Sequence, residues 1–426
     1  MITDKPLTGN IKPGGPPCNL KEYEMSGGYL GLRKALAEHD PHKVVDLVNA
    51  ANLLGRGGAG FPAGKKWSVV PMGNSAPHPK YVVCNFDEME PGSFKDRFLV
   101  EGDPHQLIEG MIIAGYAIEA DIGYIFIRKD YIEIDRILKD AIKEAYAKKY
   151  LGRDILGSGF NFELHVHSSA GRYICGESSA LLNALEGGRA IPRGRPPHMS
   201  SVGLWGKPTI VNNVETICNV PHILAHGPEW FKGLSYTNEG GTKIYSMSGR
   251  IRKPGAWELP MGTTLRELLD GYAGGMQDGY KFRAAMPGGA SSELITAEHL
   301  DTKMDFASMR SIKSHLGTGT VIVLDNRNCP VGMILSLQRY FSRESCGWCT
   351  PCREGLPWIV QILESLEDGK GTPDGIEILL EHTEMLGTGN TFCTLAPAAM
   401  FSLKSALNLF REDFDKHVYM QRCPWK

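Results

Sequence analysis

Long apolar runs are missing from this 426-residue chain. The best candidate, residues 110–128, is interrupted by Glu119 and Asp121 and is too polar to span a membrane. The opening, MITDKPLTGNIKPGG, holds no apolar segment of the kind that heads a secretory signal. Charge bias is missing too. Charged residues make up 22% of the chain and the net charge is -2, so no broad basic footprint for nucleic acid exists. Internal repeats and low-complexity runs are absent. The ten cysteines are mostly scattered, unlike the dense framework of a short secreted domain. Together these absences predict a reducing, cytoplasmic setting in which thiolates serve metals rather than disulfides. The length, with 50 glycines and 26 prolines, predicts two or three domains, each able to bury a core.

What is present centres on residues 344–354, ESCGWCTPCRE. Cys346, Cys349 and Cys352 stand at C-x2-C-x2-C spacing. One tight loop can turn three such thiolates onto a shared centre, and a [4Fe–4S] cubane needs four. A structural zinc site also takes four ligands, but it usually pairs two C-x2-C knuckles, and no second knuckle occurs here. A run of three with one remote partner suits the cubane better. Cys393 lies just ahead of a long helical pattern, where the helix dipole stabilises a thiolate. That favours it over Cys329 or Cys423 as the fourth ligand.

Residues 1–40 are rich in Gly and Pro, lack a long periodic pattern and read as an arm, with Cys18 a plain thiol. Residues 42–54 have apolar positions at helical spacing. GRGGAGFPAGKKW follows, with G-x-G-x-x-G at Gly55, Gly57 and Gly60. A dinucleotide fingerprint needs a strand before it, and here a helix precedes, so this is not a standard Rossmann loop. Its glycines still allow close backbone approach to a phosphate. Lys65 and Lys66 add charge, and Phe61 and Trp67 offer flat faces. A packing loop without ligand is the plainer alternative.

YVVC, residues 81–84, reads as a buried strand running into Asn85, Asp87, Glu88 and Glu90. Strand C-termini in α/β sheets are where ligands bind, although a solvated turn fits the carboxylates equally. Further strand and helix patterns alternate to about residue 240, which predicts an α/β layered domain with mainly parallel strands. Within it, Tyr173 and Cys175 end a strand-like turn, and Gly176-Glu177-Ser178-Ser179 opens a helix. An ordinary N-cap is the simpler reading there. Arg189, Arg193 and Arg195 follow in a proline-stiffened loop, suited to phosphate or simply solvated. Asn212 and Asn213 are amides in an apolar setting, and at least one needs a buried partner. Residues 241–328 read as a small α+β module of β-grasp type, with a capping box at Thr264–Glu267. From residue 329 on, helical stripes predict a four-helix bundle holding the cysteine run.

With ESCGWCTPCREG, GRGGAGFPAGKKW, CNFDEMEPGSFKDR and ICGESSALLNALEG in hand, the chain resembles, from about residue 20 to its end, the NADH-binding flavoprotein subunits of bacterial respiratory complex I. That family includes diaphorase subunits of NAD-linked hydrogenases and formate dehydrogenases. The resemblance implies a Rossmann-like α/β domain over residues 41–240 and a soluble-ligand-binding-type β-grasp domain in the middle. It implies that Gly55, Gly57, Gly58, Gly60 and Lys66 contact FMN, with Asn85, Asp87 and Glu88 beside them. Tyr173, Gly176, Asn212 and Asn213 would complete the flavin site. Phe61 and Glu90 would lie where NAD(H) is held, with Glu90 and Glu177 the expected catalytic carboxylates. Cys346, Cys349, Cys352 and Cys393 match the cluster ligands.

The implied activity is hydride transfer from NADH to FMN, then one-electron release to the cluster and on toward quinone. The implied partners are a thioredoxin-like [2Fe–2S] subunit and a larger iron–sulfur subunit, with the membrane met only through the complex. One departure stands out: many relatives carry two adjacent glutamates where this chain has Glu177-Ser178. The rival readings are a hydrogenase or formate-dehydrogenase diaphorase and, from another class, a non-catalytic iron–sulfur or zinc scaffold.

Overall fold

A computed structural model describes residues 4–426. By their contacts the residues fall into two compact units. One comprises residues up to Met89, Phe94–Tyr245 and Trp257–Gly262; the other comprises Glu90–Ser93, Ser246–Ala256 and Thr263–Lys426.

The first unit opens with four helices, α1 (Leu20–Met25), α2 (Leu30–Glu38), α3 (Pro41–Ala50) and α4 (Ala63–Trp67). Strand β1 (Tyr81–Phe86), α5 (Lys95–Gly102), α6 (Pro104–Ala117), β2 (Ile122–Ile127), α7 (Ile132–Ala147), β3 (Glu163–Ser168), α8 (Ser178–Leu185), β4 (Thr209–Asn213), α9 (Val214–His226) and α10 (Pro228–Gly233) follow. The strands form one sheet in the order β3-β2-β1-β4, and all its pairs are parallel. Strand β1 sits inside the sheet and is buried at five of six positions. That explains its continuous apolar run, since a parallel strand is covered on both faces. Helix α6 is buried along nearly its whole length. It meets α9 closely at Gly110, where a Cβ would fall 2.3 Å from the Ile217 carbonyl oxygen.

The arm, which shows no long periodic pattern in sequence, contains two short helices. Their anchor is Glu109 on α6, whose carboxylate accepts from the Tyr23 hydroxyl at 2.6 Å, the Tyr29 N–H at 2.8 Å and the Leu32 N–H at 2.9 Å. Burial pushes this carboxyl up to about 7. Glu109→Ala strands three buried donors, at about 1–3 kcal/mol each. The variant is expected to lose at least about 3 kcal/mol in urea unfolding, and Glu109→Gln, which keeps one acceptor oxygen, less. Equal midpoints for wild type and Glu109→Ala would show that the arm is held by apolar packing alone.

The remaining elements are β5 (Thr242–Ser248), β6 (Gly255–Pro260), β7 (Phe282–Met286), α11 (Phe306–Ser311), β8 (Thr320–Asp325), α12 (Pro330–Glu344), α13 (Thr350–Glu367), α14 (Pro373–Met385), α15 (Leu395–Leu409) and α16 (Arg411–Met420). The second sheet has the order β6-β5-β8-β7, with β8 parallel to β5 and antiparallel to β7. The capping box holds: the Thr264 N–H donates to Glu267 at 2.8 Å, and the Glu267 N–H donates to the Thr264 hydroxyl at 3.2 Å. It opens a single π-type turn, Glu267–Tyr272.

The helical region has five helices, because the last stripe is split. Helix α15 stops at Phe410, whose φ is −126°, and α16 restarts at Arg411. The Arg283 guanidinium lies 4.6 Å from the centre of the buried Phe410 ring and pairs with Asp413, holding the break in place. No helix among the described residues is long and apolar enough to cross a membrane.

Candidate flavin, nucleotide and iron–sulfur sites

The glycine-rich loop joins α3 to α4, so helices flank it on both sides. Its ends close on each other: the Gly55 N–H donates to the Phe61 carbonyl at 2.9 Å, and Leu54 bridges Pro62. Gly58 and Gly60 have φ of 123° and 66°, a region that side chains disfavour. Gly57 has a different reason to be glycine. A Cβ there would lie 3.0 Å from the Asn213 Cβ.

Beneath the loop, Arg56 is fully buried. Its N–H donates to the Thr216 hydroxyl, and its guanidinium donates to the carbonyls of Gly240 and Thr242 at 2.7 and 3.1 Å. Phe61 is 49% exposed, whereas Trp67 is wholly buried. Trp67 therefore offers no free face; its indole N–H donates to the Asn212 side-chain oxygen at 3.0 Å. That bond supplies the buried partner an amide in this apolar setting needs. The Lys66 ammonium donates to the Val211 carbonyl at 2.9 Å. Burial, with a smaller push from Arg195, lowers its pKa to about 8.

Parallel pairing puts Asn85 opposite Asn213 at the C-terminal ends of β1 and β4. The Asn85 amide donates to the Cys175 carbonyl at 3.0 Å, and its oxygen accepts from the Asp87 N–H. Asp87 in turn accepts from the Arg172 N–H at 3.4 Å. Glu88 is no solvated turn residue. It is buried, and its oxygens accept from the Asp96 and Arg97 N–H groups at the start of α5, both at 3.1 Å, and from the Tyr131 hydroxyl at 3.3 Å. Burial raises its pKa.

Asn213 is locked harder still. Its oxygen accepts from Lys95 and its amide donates to Asp96 at 2.6 Å. Lys95 also pairs with Asp96 at 2.6 Å and Glu215 at 3.0 Å, and Lys243 reaches Glu215 at 3.2 Å. Burial opposes the charge on Lys95, but Asp96, Glu215 and Glu88 outweigh it and raise its pKa. This network carries no local sequence signal. Lys95-Asp96-Arg97 looks like a charged surface run, and only the sheet brings Glu215 to it.

Residues Tyr173–Gly176 form one turn of 3-10 helix rather than a strand end. Glu177 caps α8 by accepting from the Ala180 N–H at 2.8 Å and from the Ser179 hydroxyl at 2.5 Å. Its other oxygen accepts from Arg195 at 2.9 Å. Arg193 is committed internally, to Asn183, the Gly203 carbonyl and Glu186. Only Arg195 of that pair stays half exposed. In the second unit, the Glu90 carboxylate accepts from the Ser291 N–H at 2.8 Å.

The cysteine run bridges α12 and α13. Cys349 stands at the N-cap position of α13 without a capping bond and Cys352 lies in its first turn, while Cys393 precedes α15 by two residues. The Cys352 thiol lies 3.1 Å from the Ser345 hydroxyl. Burial pushes it up to about 12; Ser345 opposes that, and Cys349, Cys393 and Cys346 add to it. Cys329 and Cys423 belong to a different group, with Glu367 and His417.

These features define a class, a flavin-binding oxidoreductase with an iron–sulfur centre. Residues 48–222 match the Nuo51 FMN-binding domain, residues 332–417 the NADH-ubiquinone oxidoreductase-F iron-sulfur binding region, and residues 244–293 the SLBB domain. The chain belongs to the family of NADH-quinone oxidoreductase F subunits. It is 52% identical to the F subunits of Salmonella typhimurium and Escherichia coli over 413 residues, 97% of this chain and 93% of each relative. It is also similar to a chain of NAD+-reducing [NiFe]-hydrogenase in the air-oxidized state, with a TM-score of 0.80 and 33% identity. That likeness covers 92% of this chain and 66% of the hydrogenase chain.

Proposed function

We infer that this chain is the NADH-oxidising subunit of a multisubunit NADH–quinone oxidoreductase, carrying FMN and a [4Fe–4S] cluster. The observation that carries the reading is near full-length identity of 52% to the F subunits of that enzyme. The diaphorase reading rests on 33% identity to a longer chain. The purified protein should show flavin bands that bleach on adding NADH. Absence of flavin, or flavin inert to NADH, would return the scaffold reading.

Bound FMN would supply the conversion between two-electron NADH chemistry and one-electron chemistry at the cluster. The protein's part is binding, orientation and electrostatics. The Gly55–Gly60 backbone and Lys66 are suited to the phosphate end. Lys66 is desolvated, so an anion placed beside it restores the charge that burial opposes. Asn85, Asp87, Glu88, Tyr173, Gly176, Asn212 and Asn213 would frame the ring system, with Asn85 and Asn213 held in place by the contacts described. Phe61 would offer its exposed ring to the nucleotide, and Glu90 and Glu177 their carboxylates. No side chain needs to act as a general base, because hydride carries its own electron pair. Cys346, Cys349, Cys352 and Cys393 would ligate the cluster. A thioredoxin-like [2Fe–2S] subunit and a larger iron–sulfur subunit are the proposed partners, on the cytoplasmic face of the membrane.

Ser178 bears on nucleotide choice. It opens α8 directly after Glu177, whose charge is already shared with Arg195. A second carboxylate here would repel the extra phosphate of NADPH. Ser178→Glu is expected to lower kcat/KM for NADPH about tenfold relative to NADH, the scale of one partly screened like charge. Steady-state ferricyanide reduction at fixed salt measures the ratio. An unchanged ratio means that position 178 does not face the ribose.

A further inference from the structure

Two cysteines that the cluster does not need lie together in the helical region. Cys329 caps the start of α12, and Cys423 follows α16 near the chain end. With Glu367 of α13 and His417 of α16 they bring four ligand atoms within 4.8 Å of one another. Three of the separations are shorter: the Cys329 sulfur lies 3.1 Å from Glu367 and 3.4 Å from His417 Nε2, and His417 Nε2 lies 3.3 Å from Glu367. Ligands around a tetrahedral zinc stand about 3.3–3.8 Å apart.

The hydrogen bonds around these four residues say more than the distances. His417 Nδ1 lies 2.6 Å from the Asp413 carbonyl, so Nδ1 carries a proton there and donates it. In the neutral ring that leaves a lone pair on Nε2. The same kind of bond orients most metal-binding histidines. Nε2 then faces a carboxylate oxygen, acceptor against acceptor, in a place where His417 is fully buried. Either a proton, on Nε2 or on the carboxylate, or a metal must lie between them. Two sulfurs converging on the same point are superfluous for a proton and suited to a metal. The Cys329 sulfur also accepts the Gly332 N–H at 3.2 Å, and without a metal its S–H donates to Glu367.

We propose that Cys329, Glu367, His417 and Cys423 form a closed, four-ligand zinc site, separate from the iron–sulfur cysteines. Two thiolates and an imidazole select zinc over the hard cations. Four protein ligands leave no open position, which makes the site structural. Binding releases the two thiol protons. The complex then carries one net negative charge, and the Lys426 ammonium, 2.7 Å from the second Glu367 oxygen, offsets it. The metal ties Cys423 to the start of α12, the end of α13 and the interior of α16.

The test uses the full chain loaded with flavin and cluster, expressed with zinc in the medium. Metal analysis should find about one zinc per chain beside the iron. Zinc-edge X-ray absorption should show two sulfurs at about 2.3 Å and two lighter ligands at about 2.0 Å. Cys423→Ser and His417→Gln should each cut the zinc content to below about a tenth while leaving iron content unchanged. Zinc-free protein overturns the proposal and leaves the four residues as a hydrogen-bonded cluster. Four sulfur ligands overturn it as well, since that zinc would sit on the other cysteines. Should a variant fail to fold, the wild-type absorption spectrum still decides.

Discussion

Cys393→Ala is expected to abolish the [4Fe–4S] cluster, while Cys329→Ala and Cys423→Ala leave it intact. Iron should fall, and the reduced-state EPR signal should drop below about a tenth of wild type, because a cubane left with three thiolates loses one iron's anchor. What separates the two groups is which thiols share an environment. Cys349, Cys393 and Cys346 all act on the Cys352 thiol. Cys329 and Cys423 instead converge with Glu367 and His417. An intact signal in Cys393→Ala, with loss in Cys423→Ala, would exchange the roles of the two groups and also remove the zinc site.

The iron–sulfur region was legible because three cysteines at strict local spacing mark it within residues 332–417. The same holds for β1, where a continuous apolar stretch has no other use than a two-sided sheet. The capping box at Thr264 is equally local. What sequence hid was set by contacts across long separations. Helices α1 and α2 carry little pattern of their own, and Glu109, some 80 residues away, fixes them by accepting three hydrogen bonds.

Arg56 sits inside the glycine-rich motif, yet it is buried and one guanidinium nitrogen donates to the carbonyls of both Gly240 and Thr242. Trp67 reads as a ligand platform for the same reason, because burial cannot be told from a loop composition. Cys329 and Cys423 stand almost a hundred residues apart. Nothing in their spacing signals that α12 and α16 deliver them to one point. The split at Phe410 was hidden because the apolar stripe runs through it without a glycine or proline.

Gly57→Val is expected to lower FMN affinity roughly ten- to hundredfold, the equivalent of about 1–3 kcal/mol of overpacking. Gly57 has no left-handed φ to protect, so the effect is purely steric. A Cβ at this position meets the Asn213 Cβ at 3.0 Å and its Cγ at 3.6 Å. Valine adds two further carbons beyond that Cβ. Asn213 cannot retreat cheaply, since Lys95, Asp96 and the Glu215 N–H hold its side chain. If it turned, the buried Lys95–Asp96–Glu215 network would lose a member, at a cost above that of the clash itself. The loop therefore moves instead, and the N–H groups proposed to face the phosphate move with it. Gly57→Ala, with the Cβ alone, should give a smaller loss in the same direction. Flavin titration of the deflavinated protein measures both variants. Full FMN affinity in Gly57→Val together with lost NADH binding would mean that the loop serves the dinucleotide and that the flavin phosphate is held elsewhere.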